Sequence, residues 1–399
     1  MRCLQRFSTV TFPCLSRSRV GFATVYFLLY LFLGAVLFAN PAGVDEDGWR
    51  LSLPGWEYQF PRDHSYHSDF KTEWWYFTGN LRSLDGKEEF GYQLTFFRQG
   101  IQPRELQTAS RFAVRDLPFA HFAVSHFSRD RYHHFSRWNR GAFGEAGFGG
   151  NEKETPLAWI KNWKVELAGP GVFRLQAREG GVEIDLELVT EKPPVFHGSD
   201  GISRKAAGEG RASHYYSFTR LRTSGTIQVD GRTHAVEGLS WYDHEWATNQ
   251  LTEEQSGWDW FSLQFEDGTE LMLFQIRLHE GGRDPFSSGT WVDAEGNSRS
   301  IGIEDFSLEP LDHWLSQHTE ARYPIRWRLA VPKLELDLEI TARMRSQEFV
   351  EPPVVYWEGA VLARGKREGK NLSGSGYLEM TGYGGPVVGM QATGPASGR

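Results

Sequence analysis

The chain has 399 residues, 40% of them hydrophobic, with 15 tryptophans, 28 phenylalanines and a net charge of −8. That length supports two ordinary domains or one large one, and aromatic residues in such number favour strands and wide apolar pockets. Arg2, Arg6, Arg17 and Arg19 are the only charges before Ala39, so 39 basic and 51 acidic residues follow, without a basic tract, which argues against nucleic acid and anionic lipid as partners.

The first element is the uncharged, mostly apolar run from Val20 to Ala39 behind the arginine-bearing leader. It reads as a signal peptide or an uncleaved membrane anchor over residues 1–42. Export to the periplasm or cell envelope is therefore expected, with the membrane as a partner if the segment is retained. Both cysteines, Cys3 and Cys14, precede the run. The exported part then has no disulfide, no thiol nucleophile and no cysteine metal ligand, and its core alone must hold it.

Strand signals dominate from there on. "KTEWWYFTGNL" and "EFGYQLTFFR" flank Asp85-Gly86, a hairpin turn signal that recurs at Asp230-Gly231 and Asp267-Gly268. "TPLAWIKNW" (155–163) offers one or two helical turns. "VEIDLELVT" (182–190) and "LELDLEITA" (334–342) alternate apolar and acidic residues, as half-buried strands do. Residues 196–213 form a loop long enough to be a lid or a rim. The segment from Trp75 is echoed 185 residues later from Trp260: tryptophan, aromatic, Ser/Thr, Asp-Gly, apolar strand, arginine. The fold class is all-β: two consecutive barrel domains, 50–246 and 247–393, following the N-terminal signal or anchor helix.

Residues two apart on a strand share a face. Leu239, Trp241, Asp243 and Glu245 then lie on one side of "GLSWYDHEW", and Tyr242 and His244 lie on the other, toward the second barrel. His214, Tyr216 and Phe218 share a face, as do Glu73, Trp75 and Phe77. Polar groups set beside aromatics on three strands are what a ligand pocket needs. Asp243 is the foremost candidate, because a carboxyl desolvated by indoles has a raised pKa and can act as a general acid. Glu73 has an equal reading as a structural ion pair with an arginine, and His214 as a core histidine.

Other chemistries fit less well. His121 and His126 face opposite ways, the adjacent His133 and His134 diverge, and His244 has no histidine two residues away, so a zinc site would need long-range convergence. No metal or cofactor is expected. Neither a G-x-S-x-G elbow nor a phosphate-binding glycine motif occurs.

"FPRDH", "KTEWWYFTGNL", "FGYQLTFFR", "HFAVSHF", "SHYYSFTRL", "WYDHEWATNQL", "GWDWFSLQFEDGTELMLFQIR" and "GSGYLEMTGY" resemble the AttH-type family of carotenoid 1,2-hydratases, kievitone hydratase-like proteins and secreted hydrolases. The resemblance implies two lipocalin-like barrels. It also implies a catalytic acid at Asp243 behind the aromatic Trp241, with His214 and Tyr216 upstream. Trp241 stands where the hydratases have tyrosine, and Tyr216 where they have tryptophan, so carotenoid as the substrate does not carry over. In the implied mechanism Asp243 protonates an alkene, Trp241, Tyr216 and Trp75 face the cation, and His214 directs water. Glu73 and Phe77 would complete the binding wall.

Two functions follow, with a third beside them. An exported hydratase or hydrolase acting on a lipophilic molecule requires Asp243 and His214 to approach each other in a closed pocket. A lipid carrier serving an ABC-type transporter would tie Asp243 into a salt bridge beside an open cavity. A structural envelope module would have no cavity at all.

Overall fold

The structure is a computed structural model that describes residues 43–103, 110, 113–149 and 155–385. The expected signal or anchor lies outside the described residues, among which no helix is long and apolar enough to cross a membrane.

Thirteen strands build a first sheet. They are β1 (Thr72–Ser83), β2 (Glu89–Gly100), β3 (Asp116–His126), β4 (Arg131–Trp138), β5 (Ala146–Phe148), β6 (Ala158–Ile160), β7 (Trp163–Gly169), β8 (Val172–Glu179), β9 (Val182–Thr190), β10 (Val195–Phe196), β11 (Ile202–Arg204), β12 (Ala212–Val229) and β13 (Arg232–Ala247). Ten more build a second. These are β14 (Gln255–Phe265), β15 (Glu270–Leu278), β16 (Ser288–Val292), β17 (Ser298–Gly302), β18 (Ser307–Leu315), β19 (Arg322–Val331), β20 (Leu336–Ala342), β21 (Glu348–Glu351), β22 (Val354–Arg367) and β23 (Lys370–Thr381). The protein is all-β, as its turn and alternation signals predict. The segment 155–163 is the exception to the sequence reading: Ala158–Ile160 and the following Trp163 belong to a tight hairpin, not to helical turns. Its apolar residues Leu157, Ala158, Ile160 and Trp163 enter the first core, and that burial overrides local preference.

The two sheets share one plan. Their orders run β4-β3-β2-β1-β13-β12-β9-β8-β7 and β17-β16-β15-β14-β23-β22-β20-β19-β18. In each, the last strand returns to pair with the first, curling the sheet into a half-barrel around its own apolar core. The echo is real in topology but is offset by one residue. Arg98 grips Glu73 in the first hairpin and Arg277 grips Asp259 in the second, so Glu73 matches Asp259 and Trp75 matches Phe261. Trp75 and Phe261 point into their respective cores, whereas Trp260 points out between the sheets. Matching Trp75 to Trp260 would turn one of them inside out.

A third apolar cluster lines the seam, with Tyr76, Tyr215 and Trp241 from the first sheet and Trp260, Phe274 and Tyr377 from the second. Gly91 on β2 permits close approach there: a Cβ atom at this position would lie 2.6 Å from the Tyr377 hydroxyl. A bulge in β12 between Phe218 and Leu221 frees Arg220 to reach across. Arg220 Nε meets Glu270 Oε1 at 2.5 Å, and Lys192 Nζ meets Glu270 Oε2 at 2.7 Å. Glu270 is fully buried, and both cations come from the first half, Arg220 from β12 and Lys192 from the connection between β9 and β10. Lys192 also donates to the carbonyls of Gly268 and Asp293, each at 2.6 Å. Removing one partner of such a cluster leaves a buried charge under-compensated. Lys192→Met should therefore cost about 3 kcal/mol in urea unfolding. Arg326→Ala, at an exposed pair with Glu339 that solvent screens, should cost far less. Equal losses would show that the seam cluster is not structural.

Candidate functional site

The register of β1, β13 and β12 decides where every candidate goes. Phe77, Tyr242 and Phe218 align, as do Trp75, His244 and Tyr216, and then Glu73, Trp246 and His214. All of these point into the first core or its polar end. Tyr76, Asp243 and Ser217 align on the opposite face, with Trp74, Glu245 and Tyr215 beside them. That face looks at the second sheet. The expected grouping is thus divided: Asp243 and Trp241 lie in the seam, while His214, Tyr216, Glu73, Trp75 and Phe77 lie on the other side of a backbone wall. The assignment of Tyr242 and His244 to the second barrel is likewise reversed. Face counting had the alternation right and the direction wrong, because strand periodicity carries no label for inside.

The inner residues form a closed ion cluster. Glu73 Oε1 accepts from His67 Nδ1 at 2.7 Å and from His244 Nε2 at 2.9 Å, and Arg98 approaches Oε2 at 3.3 Å. Burial alone would raise Glu73, but the charge on His67 and the bonds from His244 and His67 hold its pKa far below the ordinary value. The arginine partner expected for Glu73 is Arg98. Donor atoms of His67, Glu73 and His244 lie within 4.8 Å of one another, a long-range convergence the sequence did not reveal. The Arg98 guanidinium already neutralises the carboxylate, and His67 has its pKa raised by Glu73 and Asp63 against the effect of burial. The cluster suits protons better than a metal ion. Tyr216 Oη sits 2.8 Å from His64 Nδ1 and 3.1 Å from His244 Nδ1, and it donates to the Asp63 carbonyl. His214 packs against Trp246 and Trp56.

Between the sheets is a cavity of about 130 Å³ walled by Trp74, Tyr76, Phe97, Trp258, Trp260 and Phe274. Asp243 lines it. Ser217 Oγ donates to Asp243 Oδ1, Trp241 Nε1 donates to the same oxygen at 2.6 Å, and Tyr215 Oη donates to Oδ2 at 2.9 Å. Among the described residues no cation pairs with Asp243. Burial therefore dominates: despite the three donors, and helped by the charge of Glu245, the carboxyl is pushed up to about 7. Oδ2 carries the fewer donors, so the proton sits there. Behind Ser217 stands His197, with Nε2 at 2.6 Å from Ser217 Oγ and Nδ1 at 2.9 Å from Thr290 Oγ1 of the second sheet.

Further carboxyls converge on the same space. Glu358 and Glu379 face each other across β22 and β23. Burial and the charge of Glu379 push Glu358 well up, while burial and the charges of Asp243 and Glu245 push Glu379 to about 8. Tyr76 Oη donates to Glu358 at 2.5 Å. Lys205, 3.2 Å from Glu245, is a cavity cation, and it comes from the 196–213 segment, which serves as a rim. At the far end Gln93 Nε2 donates to Tyr356 Oη at 2.8 Å, and Tyr356 Oη lies 3.0 Å from His121 Nδ1. Sequence reasoning missed Tyr215, Glu358, Glu379 and the cavity role of His121. Tyr215 was recoverable, since it shares the alternation that selects Asp243. The glutamates were not, because only the sheet-to-sheet packing brings them near.

Two half-barrels of matching topology, with a carboxyl-lined cavity between them, define a double lipocalin-like protein. The chain belongs to the AttH-like family, whose model matches residues 52–383. It is similar to a protein of Nitrosomonas europaea described as AttH, at 34% identity and a TM-score of 0.74, over 83% of this chain and 98% of that one. Its fold is also that of kievitone hydratase from Nectria haematococca, at 15% identity and a TM-score of 0.62, over 86% of this chain and 96% of that one. No curated protein matches the chain significantly.

The buried acid has a cost in stability. Asp243 has a folded pKa of about 7 against an ordinary value of 3.8, so the folded state holds a proton that the unfolded chain has lost between these values. Its contribution is complete below the unfolded pKa and is lost as pH rises through about 7. Asp243→Asn should therefore stabilise the protein more at pH 8 than at pH 5, by on the order of a few kcal/mol, in denaturant melts at the two pH values. A pH-independent difference would mean that Asp243 is an ordinary carboxylate.

Proposed function

We propose that the protein is a hydratase-type enzyme that adds water to, or removes it from, a lipophilic substrate held between the two half-barrels, with Asp243 as the general acid. One observation carries this reading: a carboxyl whose pKa burial raises to about 7 faces an aromatic cavity, and among the described residues no cation pairs with it, the cavity's Lys205 being paired with Glu245. A carrier would be expected to hold this aspartate in a salt bridge, and a structural module to have a filled seam. Membership of the AttH-like family and the shared fold of kievitone hydratase support the same reading.

In the forward direction the Asp243 proton passes to one alkene carbon, and the other becomes cationic. The faces of Trp74, Tyr76 and Trp260 stabilise that cation, and the Asp243 carboxylate left by the proton transfer adds to the effect. Water then bonds to the cationic carbon, and its surplus proton returns to Asp243. The sum is one water added, with no cofactor consumed. His214 and Tyr216 lie behind the strand wall and act through the fold, not on the substrate. Ser217, Trp241 and Tyr215 orient the acid and limit its pKa.

Purified protein incubated with a panel of isoprenoid alkenes should convert one of them to a product heavier by one water, as read by mass spectrometry. Asp243→Asn should slow this at least ~100-fold, the scale on which general acids contribute. The rate should be highest where Asp243 is protonated and should fall as pH rises through about 7. Full activity in Asp243→Asn would refute the acid role. Removing the Ser217 donor favours the neutral carboxyl, so Ser217→Ala should move the falling limb of the pH profile upward; a downward move would contradict the hydrogen-bond assignment.

A further inference from the structure

The cavity has a second polar end, away from Asp243. Gln93 and His121 sit on neighbouring strands, with His121 directly across from Thr95 and Gln93 two residues along on the same face. Both line the cavity, and they are only 1% and 2% exposed. Each has one buried polar atom with no partner among the described residues: Oε1 of Gln93 and Nε2 of His121. Groups so buried are almost always bonded, and leaving one unmatched is costly.

Hydrogen-bond accounting assigns their roles. Gln93 Nε2 has two hydrogens, which go to Tyr356 Oη at 2.8 Å and Thr95 Oγ1 at 3.2 Å. This fixes the amide and leaves its oxygen as the free acceptor. Tyr356 Oη accepts from Gln93, so its own proton is directed to His121 Nδ1 at 3.0 Å. His121 then carries its remaining hydrogen on Nε2, the free donor. The ring is held in place by Phe97, Phe119 and Phe349, at centroid distances of 4.9, 5.7 and 4.5 Å. Burial lowers its pKa to about 3, so it stays neutral.

We infer that Gln93 Oε1 and His121 Nε2 together bind a hydroxyl group of the substrate, so that this enzyme acts on an apolar alcohol, phenol or enol and not on a pure hydrocarbon. A hydroxyl is the small group that donates and accepts through one oxygen. A carbonyl would leave Gln93 unmatched, and a carboxylate would meet Gln93 Oε1 with like partial charge. The cavity size limits what the enclosed part can hold. An apolar cavity of about 150 Å³ accommodates benzene, so the 130 Å³ here suits one small ring or one branched five-carbon unit. The inference rests on the reading of this cavity as the substrate pocket.

p-Cresol and toluene, which differ by one hydroxyl, test it by isothermal titration calorimetry on the full chain. The wild type should bind p-cresol at least about tenfold more tightly than toluene, although p-cresol leaves water less readily. The doubly substituted His121→Phe, Gln93→Leu protein should lose that preference or reverse it. Its circular dichroism and thermal melt would establish that it is folded. In the wild type, ¹⁵N NMR of His121 should show Nε2 carrying the proton and shifting with p-cresol but not with toluene. Absent binding of p-cresol, equal affinities, an unmoved Nε2, or a preference that survives the double substitution would each overturn the inference. The readout is binding and not turnover, so a failure of Asp243 as the acid would leave this result intact.

Discussion

The pleat of β13 is the constraint from which the rest follows. A strand that serves as a common wall must send every second side chain one way and the intervening ones the other. Here one direction is the first core, with its Glu73–His67–His244 cluster, and the other is the seam with Asp243. Adjacent residues of "WYDHEW" therefore live in different electrostatic worlds. His244 sits on a carboxylate also held by Arg98, and Asp243 sits among acids and indoles, with no cation paired to it among the described residues. No single change of register could bring the two sets together without turning both interiors out.

The same wall explains why the two clusters can have opposite proton affinities a few ångströms apart. On the inner side, cations and histidine donors outweigh desolvation, and the carboxylate stays ionised. On the outer side, desolvation outweighs three good donors, and the carboxyl stays neutral. Glu245 and Glu379 line the same cavity, and Glu358 faces Glu379 across the strands, so like charge discourages ionisation of any one member. An acid so placed does not need a catalytic partner on its own strand. Its tuning comes from Tyr215 and Ser217 next door and from carboxyls delivered by the second sheet.

Much of the architecture was legible in the sequence. The Asp-Gly turns, the strict alternation of 182–190 and the paired tryptophan-led segments announced a duplicated β-fold, and the strands and their topology agree. The chemistry was legible in part. Asp243 stood out because a carboxyl between indoles is costly, and local pattern is enough to see that. Its surroundings were not, because residues such as Glu379 reach the cavity through packing between sheets, more than a hundred residues away in the chain. His214 and Tyr216 are parted from Asp243 for a specific reason. The family pattern places them near Asp243 along the chain, and the antiparallel register does bring their strands side by side, but it pairs even positions with even, so they share the face of His244 and Trp246 while Ser217 shares that of Asp243.

Glu270 shows how far the two halves depend on each other. Among the described residues its charge is matched by Lys192 and Arg220, both supplied by the other half. The second half on its own would carry an unbalanced anion in its wall. Exchanging either half for a foreign barrel would strand the carboxylate or the two cations. The cavity beside this cluster therefore owes its shape to a boundary that both halves must complete.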